Sequence, residues 1–291
     1  MGAQLTARHN LMHSGNALST DVAGVRLYWL GQAGFLIHGG GLTLAIDPYL
    51  SNALEKKYEG TATPHSRMMP PPVQVNELSS IDYVLCTHRH TDHMDPATLR
   101  GLQASNSRVR MIMPLGARDH VLRLGLDLSR VSFINADQSY PLIKDCRVTA
   151  IAAAHEQFDK TVDGYYPYLG YAIQFIGFTI YHSGDCVPYE GLNETVGAQN
   201  TDLALLPVNG RRPDLQQKGV AGNFTAEEAA LLCKAARIPN LIMHHFGMFA
   251  FNTVDPEKAL SDVLRVNPAL TSMAAAVGVE YRLSACRNDA V

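Results

Sequence analysis

The stretch THRHTDHMDP, from Thr87 to Pro96, places three histidines and two aspartates within ten residues. It follows the apolar run IDYVLCT, which has the length and composition of a buried strand. It also leads into a helix start, because Asp95 is a favoured N-cap residue and Pro96 a favoured first helical residue. Imidazole and carboxylate groups are the ligands of zinc, manganese and iron. The stretch therefore predicts a metal site on a turn between a strand and a helix.

The spacing inside this stretch suits two metal ions. His88 and His90, two residues apart in an extended turn, can point at one ion. Asp92 and His93 are adjacent, so their side chains diverge and can face a second ion. Because one catalytic ion needs only three protein ligands and a water, the number of ligand-type residues favours a pair. Those that follow other strand-like runs are Asp47, His155, Asp185 and His244, and the two oxygens of Asp185 can bridge two ions.

Apolar runs of strand length alternate with turns along the chain. Residues 25–38 are typical of a hairpin, and the runs over 146–155 and 240–245 end at histidines. Helices are predicted after three N-cap residues, Asp95, Thr225 and Asp255, and a further helix over residues 116–126. The proline-rich excursion over 48–78 is too long for a simple connector, so we expect it to be functional or mobile.

No short repeat or low-complexity linker divides the chain. We therefore predict a polar N-terminal segment, residues 1–20, followed by a single domain over residues 21–291. Two β-rich halves, each carrying helices, indicate an α/β fold in which two sheets pack together with helices on the outside.

Composition excludes several function classes. Hydrophobic residues make up 46% of the 291 residues, enough for a substantial core. The formal charge of −3, without a basic block, disfavours a nucleic-acid partner. We expect no membrane partner either, since no apolar run reaches spanning length and no signal-peptide pattern is present. The five cysteines are scattered and form no CxxC pair, which favours a reducing, cytoplasmic location.

The motif HxHxDH, formed by His88, His90, Asp92 and His93 after a strand and before a helix, resembles the metallo-β-lactamase superfamily. Other stretches resemble that superfamily in the same order along nearly the whole chain. They are LGQAGFLI (30–37), LAIDPYL (44–50), AAAH (152–155), YHSGD (181–185), LLPVNG (205–210) and MHHF (243–246). The resemblance implies an αββα sandwich of two mixed β-sheets with two divalent ions at its edge.

The same resemblance implies how the ligands are shared between the ions. His88, His90 and His155 would bind one ion, with Asp185 bridging to the other. The second ion would be held by Asp92, His93 and His244. Asp47 resembles a carboxylate that orients the cluster without binding metal.

Within the superfamily the chain most resembles the L-ascorbate-6-phosphate lactonase group. The matching features are WLGQAGFLI (29–37), SRMMPPPVQVNEL (66–78), IYHSGD (180–185), LLPVNGR (205–211) and the pair His244–His245. Two departures are Ile242-Met243, where the family usually has a proline two residues before the last ligand, and Phe246, where the lactonase carries an acidic residue. The resemblance implies a hydrolase that opens a small anionic lactone of a sugar phosphate or sugar acid. Family analogy also implies a homo-oligomer.

This chemistry assigns roles to the site residues. Two divalent ions, zinc or manganese, with iron also accepted by this ligand set, would generate a hydroxide at neutral pH. Asp92 would take or relay its proton, and His245 or His182 would donate to the oxyanion or the leaving group. For His182, which falls inside a strand, a core or supporting role is the alternative. Arg89 and Thr91 are expected to point away from the ions.

An anionic substrate needs cationic groups beside the ions. The candidates are Arg211 and Arg212, which follow a strand, and Arg67 in the long early loop, each with a solvated surface role as the alternative. Tyr166, in DGYYPYLGY (163–171), is a candidate sugar-contacting wall, with plain packing as the alternative. The histidines without supporting context, His65 and His120 among them, are expected at the surface.

Three other functions fit the same ligand set. A phosphodiesterase or ribonuclease-Z-like nuclease would use the same pair of ions, although the acidic net charge and the absence of a long basic arm weaken the nuclease interpretation. A thioesterase is the second. The third is a non-catalytic metal-binding protein, but such a protein would be expected to lack one or more ligands, and here the set is complete.

Overall fold

The computed structural model describes residues 2–9, 24–175 and 177–286. Within these residues the strands form two mixed sheets, of eight and seven strands. The strands are β1 (Ala3–His9), β2 (Val25–Gly31), β3 (Gly34–Gly39), β4 (Leu42–Ile46), β5 (Tyr83–Leu85), β6 (Arg110–Pro114), β7 (Val131–Ile134), β8 (Ser139–Ile143), β9 (Cys146–Ala152), β10 (Leu169–Phe175), β11 (Phe178–His182), β12 (Leu203–Pro207), β13 (Asn240–His244), β14 (Thr271–Ala274) and β15 (Val279–Ala285). The first sheet has the order β1-β15-β2-β3-β4-β5-β6-β7, and the second β14-β13-β12-β11-β10-β9-β8.

Helices lie outside the sheets. In the described part of the chain the α-helices are α1 (Ala53–Lys57), α2 (Pro96–Ser105), α3 (Arg118–Val121), α4 (Leu192–Gly197), α5 (Pro213–Gln216), α6 (Ala226–Ala235) and α7 (Pro256–Val266). The three predicted caps are confirmed, since the side chains of Asp95, Thr225 and Asp255 each accept a backbone N–H of the first turn. None of the described helices combines the length and apolar character needed to cross a membrane.

Alternate residues of β2 face two different cores. Leu27 and Trp29 pack into the core between the two sheets, whereas Tyr28 and Leu30 pack into the core beneath α2. Because side chains alternate along a strand, a strand covered on both faces is apolar along its whole length. On the far side, α6 and α7 cover the second sheet. The predicted αββα sandwich of two mixed sheets is thus confirmed.

Parts of the sequence prediction differ from the structure. Residues 3–9 of the predicted polar segment form β1, which pairs antiparallel with β15, and Arg8 Nε donates to the buried Glu280 at 2.8 Å. These residues therefore belong to the sheet, while residues 10–20 lie outside the described part of the chain. The helix predicted over 116–126 is shorter in the structure: a 3-10 turn over Leu115–Ala117 leads into α3, which ends at Val121, and the chain then turns through Gly125 with φ of +70°.

The sheet topology brings distant loops to one edge. β4 and β5 are parallel, as are β11, β12 and β13, so the loops after them leave from equivalent ends. β9 ends at Ala152, three residues before the predicted end, and His155 lies in the loop that follows. These loops carry Asp47, the His88–His93 stretch, His155, Asp185 and the His244–His245 pair.

Candidate metal centre

The first group of donors lies at the end of β5 and in the loop after β9. The ligand atoms of His88, His90 and His155 lie within 4.8 Å of one another. His88 Nε2 is 3.0 Å from His90 Nδ1, and the ring of Tyr168 lies 4.8 Å from that of His155. The structure therefore brings together the three histidines predicted for one ion.

A second group faces the first across Asp185. It consists of Asp92, His93 and His245, again with ligand atoms within 4.8 Å. Asp185 Oδ1 lies 3.1 Å from His245 Nε2 and 3.3 Å from His93 Nε2. Its other oxygen, Oδ2, lies 3.6 Å from His155 Nε2. One carboxylate thus presents one oxygen to each group, as a bridging ligand would.

Several ligand atoms of these two groups are buried without a hydrogen-bond partner, as expected of atoms that bind metal ions. His93 Nε2, His155 Nε2 and Asp185 Oδ1 are buried, yet none has a hydrogen-bond partner. Buried polar atoms are normally paired, because leaving one unpaired costs free energy. Three such atoms converging on two donor groups are accounted for by bound cations. The histidine and aspartate clusters are therefore consistent with a dinuclear site.

The protonation states of His88 and His90 also favour metal binding. Burial, followed by the charges of neighbouring imidazoles, holds the pKa of His88 well below its usual range, and burial lowers the pKa of His90 to about 4. Neutral imidazole is the form that binds metal. Burial would raise the pKa of Asp185, but the nearby imidazoles, His245 first, outweigh it and hold that pKa well below its usual range.

His93 is oriented by a carboxylate behind it. Its Nδ1 lies 2.7 Å from Asp47 Oδ2, which leaves Nε2 facing the donor group. Asp47 is itself fixed, because its oxygens accept the backbone N–H of Thr87 at 2.7 Å and the Thr87 hydroxyl at 2.6 Å. Asp47 belongs to neither donor group. Asp47 therefore has the position expected of a carboxylate that orients a ligand, His93, without binding metal.

The expectation that His244 binds the second ion requires correction. Its ring is fully buried, 5.4 Å from that of Phe35 and stacked on His182 at 5.0 Å, and it belongs to none of the donor groups. Adjacent residues point in opposite directions at a strand end. β13 ends at His244, and the next residue, His245, turns with φ of +67° toward Asp92 and Asp185. His245 therefore takes the position expected of His244.

The catalytic role expected of His182 also does not match its surroundings. The ring is fully buried; Nε2 lies 2.9 Å from the carbonyl of Ala33, and Nδ1 accepts the N–H of Gly184 at 3.0 Å. Both nitrogens are thus occupied by backbone groups. His182 supports the loop that carries Asp185, which is the alternative considered from its strand position.

Two of the three arginines expected to bind substrate, Arg67 and Arg211, make contacts within the fold instead. Arg67 donates to the carbonyls of Met69, Tyr49 and Ser51. Arg211 forms an ion pair with Glu228 on α6 and donates to the carbonyl of Asn223. In each case the guanidinium is held by partners within the protein, and neither arginine lines the cavity over the donor groups.

Arg212 and Tyr166 lie outside the site as well. Arg212 is exposed and pairs with Asp214 at 2.7 Å. The ring of Tyr166 packs on Phe158 at 5.2 Å and lies under Lys160. Tyr168, two residues later, is the tyrosine beside the histidines.

A cavity of about 470 Å³ opens over the donor groups. Its cationic rim, the name used below for Lys57, Arg89 and Lys218, was not predicted from the sequence. Arg89 was expected to point away and His120 to be a plain surface residue, but both line the cavity. Arg89 could have been found from the sequence, because it falls inside the metal motif. Lys57 ends α1, His120 lies in α3 and Lys218 follows α5, and none of these three belongs to a motif.

An aromatic wall, Tyr58, His65, Phe249 and Phe251, lines the same cavity. His65 stacks on Tyr58 with ring centroids 4.1 Å apart, and Phe249 and Phe251 approach its edges at 4.9 and 4.7 Å. His65 was expected at the surface; it is half-buried, and burial lowers its pKa. The excursion over 48–78 was expected to be functional or mobile, and in the structure it contributes side chains to the cavity.

Comparison with known proteins identifies the family. A model described as the β-lactamase superfamily domain matches residues 43–246. A metal-dependent hydrolase of the UPF0173 group from Myxococcus xanthus is 26% identical over 248 residues, which cover 82% of this chain and 76% of the relative. N-acyl-phosphatidylethanolamine-hydrolyzing phospholipase D 1 of Caenorhabditis elegans is 24% identical over 244 residues, covering 80% of this chain and 67% of that protein.

The fold agrees with this assignment. Igni18, a metallo hydrolase from Ignicoccus hospitalis, superposes with a TM-score of 0.66 and 18% identity, covering 90% of this chain and 99% of its own. The chain therefore belongs to the metallo-β-lactamase superfamily and carries the histidine and aspartate site of a metal-dependent hydrolase. The narrower resemblance to the lactonase group stays a prediction.

Proposed function

We propose that the chain is a dinuclear metal-dependent hydrolase that opens a small anionic lactone or ester. The observation that carries the proposal is Asp185, whose two oxygens face the two donor groups at 3.6 Å from His155 and 3.1 Å from His245. His88, His90 and His155 would hold one ion, and Asp92, His93 and His245 the other. Zinc and manganese suit these ligands, and iron is also accepted.

Bound ions would supply Lewis acidity, which lowers the pKa of water toward neutrality and polarises a carbonyl or phosphoryl oxygen. The protein's own residues divide the remaining work. The side chain of Asp92 is 17% exposed, more than the 9% of Asp185, so Asp92 can take a proton from the cavity. His245 is needed as a ligand, and the nitrogens of His182 are occupied. We therefore assign proton transfer to Asp92 alone.

The cationic rim supports an anionic substrate. Lys57, Arg89 and Lys218 are exposed at the cavity and form no salt bridge with any residue in the described part of the chain. An unpaired cation at a cavity mouth attracts anions and can bind a phosphate or carboxylate. The rim takes the role that the sequence assigned to Arg67, Arg211 and Arg212.

The aromatic wall supports an organic group beside the anion. Tyr58 and His65 present stacked rings to the cavity, and Phe249 and Phe251 extend the wall. Faces of this kind pack against sugar rings and other apolar surfaces. A lactone that carries a negative group on a ring matches both features of the cavity.

A phosphodiesterase is the second candidate. The Caenorhabditis elegans relative is named for hydrolysing a phospholipid, and a cationic rim would bind a phosphodiester as readily as a carboxylate. A pair of ions can stabilise the attacking and leaving oxygens at phosphorus. The two candidates differ in the atom attacked, so they are separable by assay.

The test uses purified protein loaded with manganese or zinc and three probes: a sugar-phosphate lactone, bis-p-nitrophenyl phosphate and a thioester. We expect turnover of the lactone, and its loss in the Asp185→Asn variant, with Asp214→Asn, which changes an exposed carboxylate paired with Arg212, as the control. Turnover of the phosphodiester alone would replace the first candidate with the second. No turnover by protein containing two ions would indicate a non-catalytic metal-binding protein.

A further inference from the structure

Gln32 occupies a turn that glycine would fill more readily. It lies between β2 and β3 and has φ of +51°, in the left-handed region that non-glycine residues seldom adopt. Its carbonyl accepts the indole N–H of Trp29 at 3.0 Å and the backbone N–H of His245 at 3.0 Å. The turn is therefore attached directly to the loop that carries a proposed metal ligand.

The Gln32 side chain reaches the second donor group. It is 1% exposed, and its Nε2 donates to Asp92 Oδ2 at 2.9 Å and lies 3.2 Å from His245 Nε2. Its Oε1 is buried without a hydrogen-bond partner, and the residue lines the cavity. A glutamine kept only for packing would not be expected to combine an unfavourable φ, an unpaired oxygen and two contacts to metal-binding side chains.

We propose that Gln32 is a positioning residue for the second metal ion, holding Asp92 in the orientation in which it binds. This inference rests on the dinuclear site of the proposed function. Groups that hydrogen-bond to metal ligands orient them, and their removal typically weakens metal binding 10- to 100-fold. In the described part of the chain no hydrogen bond joins Gln32 to a residue of the first group, so we expect only the second ion to depend on it.

Two variants separate this role from a structural one. Gln32→Met keeps the length of the side chain and removes the amide, whereas Gln32→Gly removes the side chain and relieves the positive φ. Gln103→Met is the matched control: Gln103 is also buried, its amide bonds only to the backbone of Asp127, and it does not line the cavity.

Metal-free protein is titrated with zinc by calorimetry, and cobalt loading is followed by absorption spectroscopy. We expect both Gln32 variants to bind the first ion with unchanged Kd and the second 10- to 100-fold more weakly. The control should bind both ions as the wild type does. Second-ion affinity within threefold of wild type in both Gln32 variants, or an equal loss in the control, would overturn the inference. A wild-type protein that binds only one ion would instead contradict the proposed function.

Discussion

A hydrogen bond of 2.7 Å joins Asp47 Oδ2 to His93 Nδ1, and neither side chain is exposed. Asp47 holds φ of +46°, an uncommon value for a residue other than glycine, so the backbone after β4 is shaped to aim this carboxylate. Burial alone would lower the pKa of His93, but the surrounding carboxylates, Asp185 first, outweigh it and hold that pKa well above its ordinary value. An entering cation would displace that proton while Asp47 keeps the ring oriented.

Asp47→Asn should weaken binding of the second ion about 10- to 100-fold, because a neutral amide orients and polarises His93 less well. Metal content after dialysis against a chelator series measures this effect. Asp82→Asn is the matched control, since Asp82 also accepts a backbone N–H, from Thr43 at 2.8 Å, at the other end of the strands. Equal metal retention in the two variants would show that Asp47 does not support the site.

Substitution of His244 and of His245 by leucine should affect metal binding differently. His245→Leu removes a donor 3.1 Å from Asp185, so we expect the protein to retain one ion and lose turnover. His244→Leu should retain both ions, because the ring belongs to neither donor group and packs against Phe35 and His182. Metal analysis and urea unfolding of both variants provide the measurement. Loss of the second ion in His244→Leu would restore the assignment made from the sequence.

These two histidines show how far the sequence could be interpreted. The motif from His88 to His93 predicts ligands because its members are neighbours in the chain, and helix caps such as Asp95 are equally local. Which of two adjacent histidines faces the ions depends on where β13 ends. That end is fixed by the bond from His245 N to the carbonyl of Gln32, more than two hundred residues away in the chain. No local pattern encodes it.

The cationic rim was missed for a related reason. Lys57 ends α1 and Lys218 lies just after α5. Neither belongs to a motif, and both line one cavity only because the fold brings these segments together. Arg211 and Arg212 were expected at the site because they follow a strand, and strand ends do mark the edge of the sheet. Position after a strand cannot reveal that Arg211 forms an ion pair with Glu228 on α6.

Lys57→Gln and Arg89→Gln should each raise KM for an anionic substrate about two- to fivefold, with little change in kcat. A partly exposed ion pair contributes up to about 1 kcal/mol, and binding shared by ground and transition states affects KM alone. Arg212→Gln serves as the control, because Arg212 already pairs with Asp214. The difference should shrink as salt is added. A fall in kcat at constant KM would contradict binding by the rim.

His38 should make stability depend on pH independently of the metal site. Burial first, and then the charge of Arg26, lower its pKa below 6.5, while Asp82 opposes them. The folded protein therefore binds fewer protons at this site than the unfolded chain does. The contribution of His38 is fully present above about pH 6.5 and is lost as the pH falls through the lower pKa of the folded state.

His38→Asn removes this titration and keeps a side chain able to hydrogen-bond Thr43, which His38 contacts at 3.0 Å. We expect the free energy of unfolding to fall less between pH 7.5 and pH 5 in the variant than in the wild type. Urea unfolding of both metal-free proteins at the two pH values measures the difference, and every other titrating group cancels because both proteins share it. An equal pH dependence would show that the environment of His38 does not perturb its protonation.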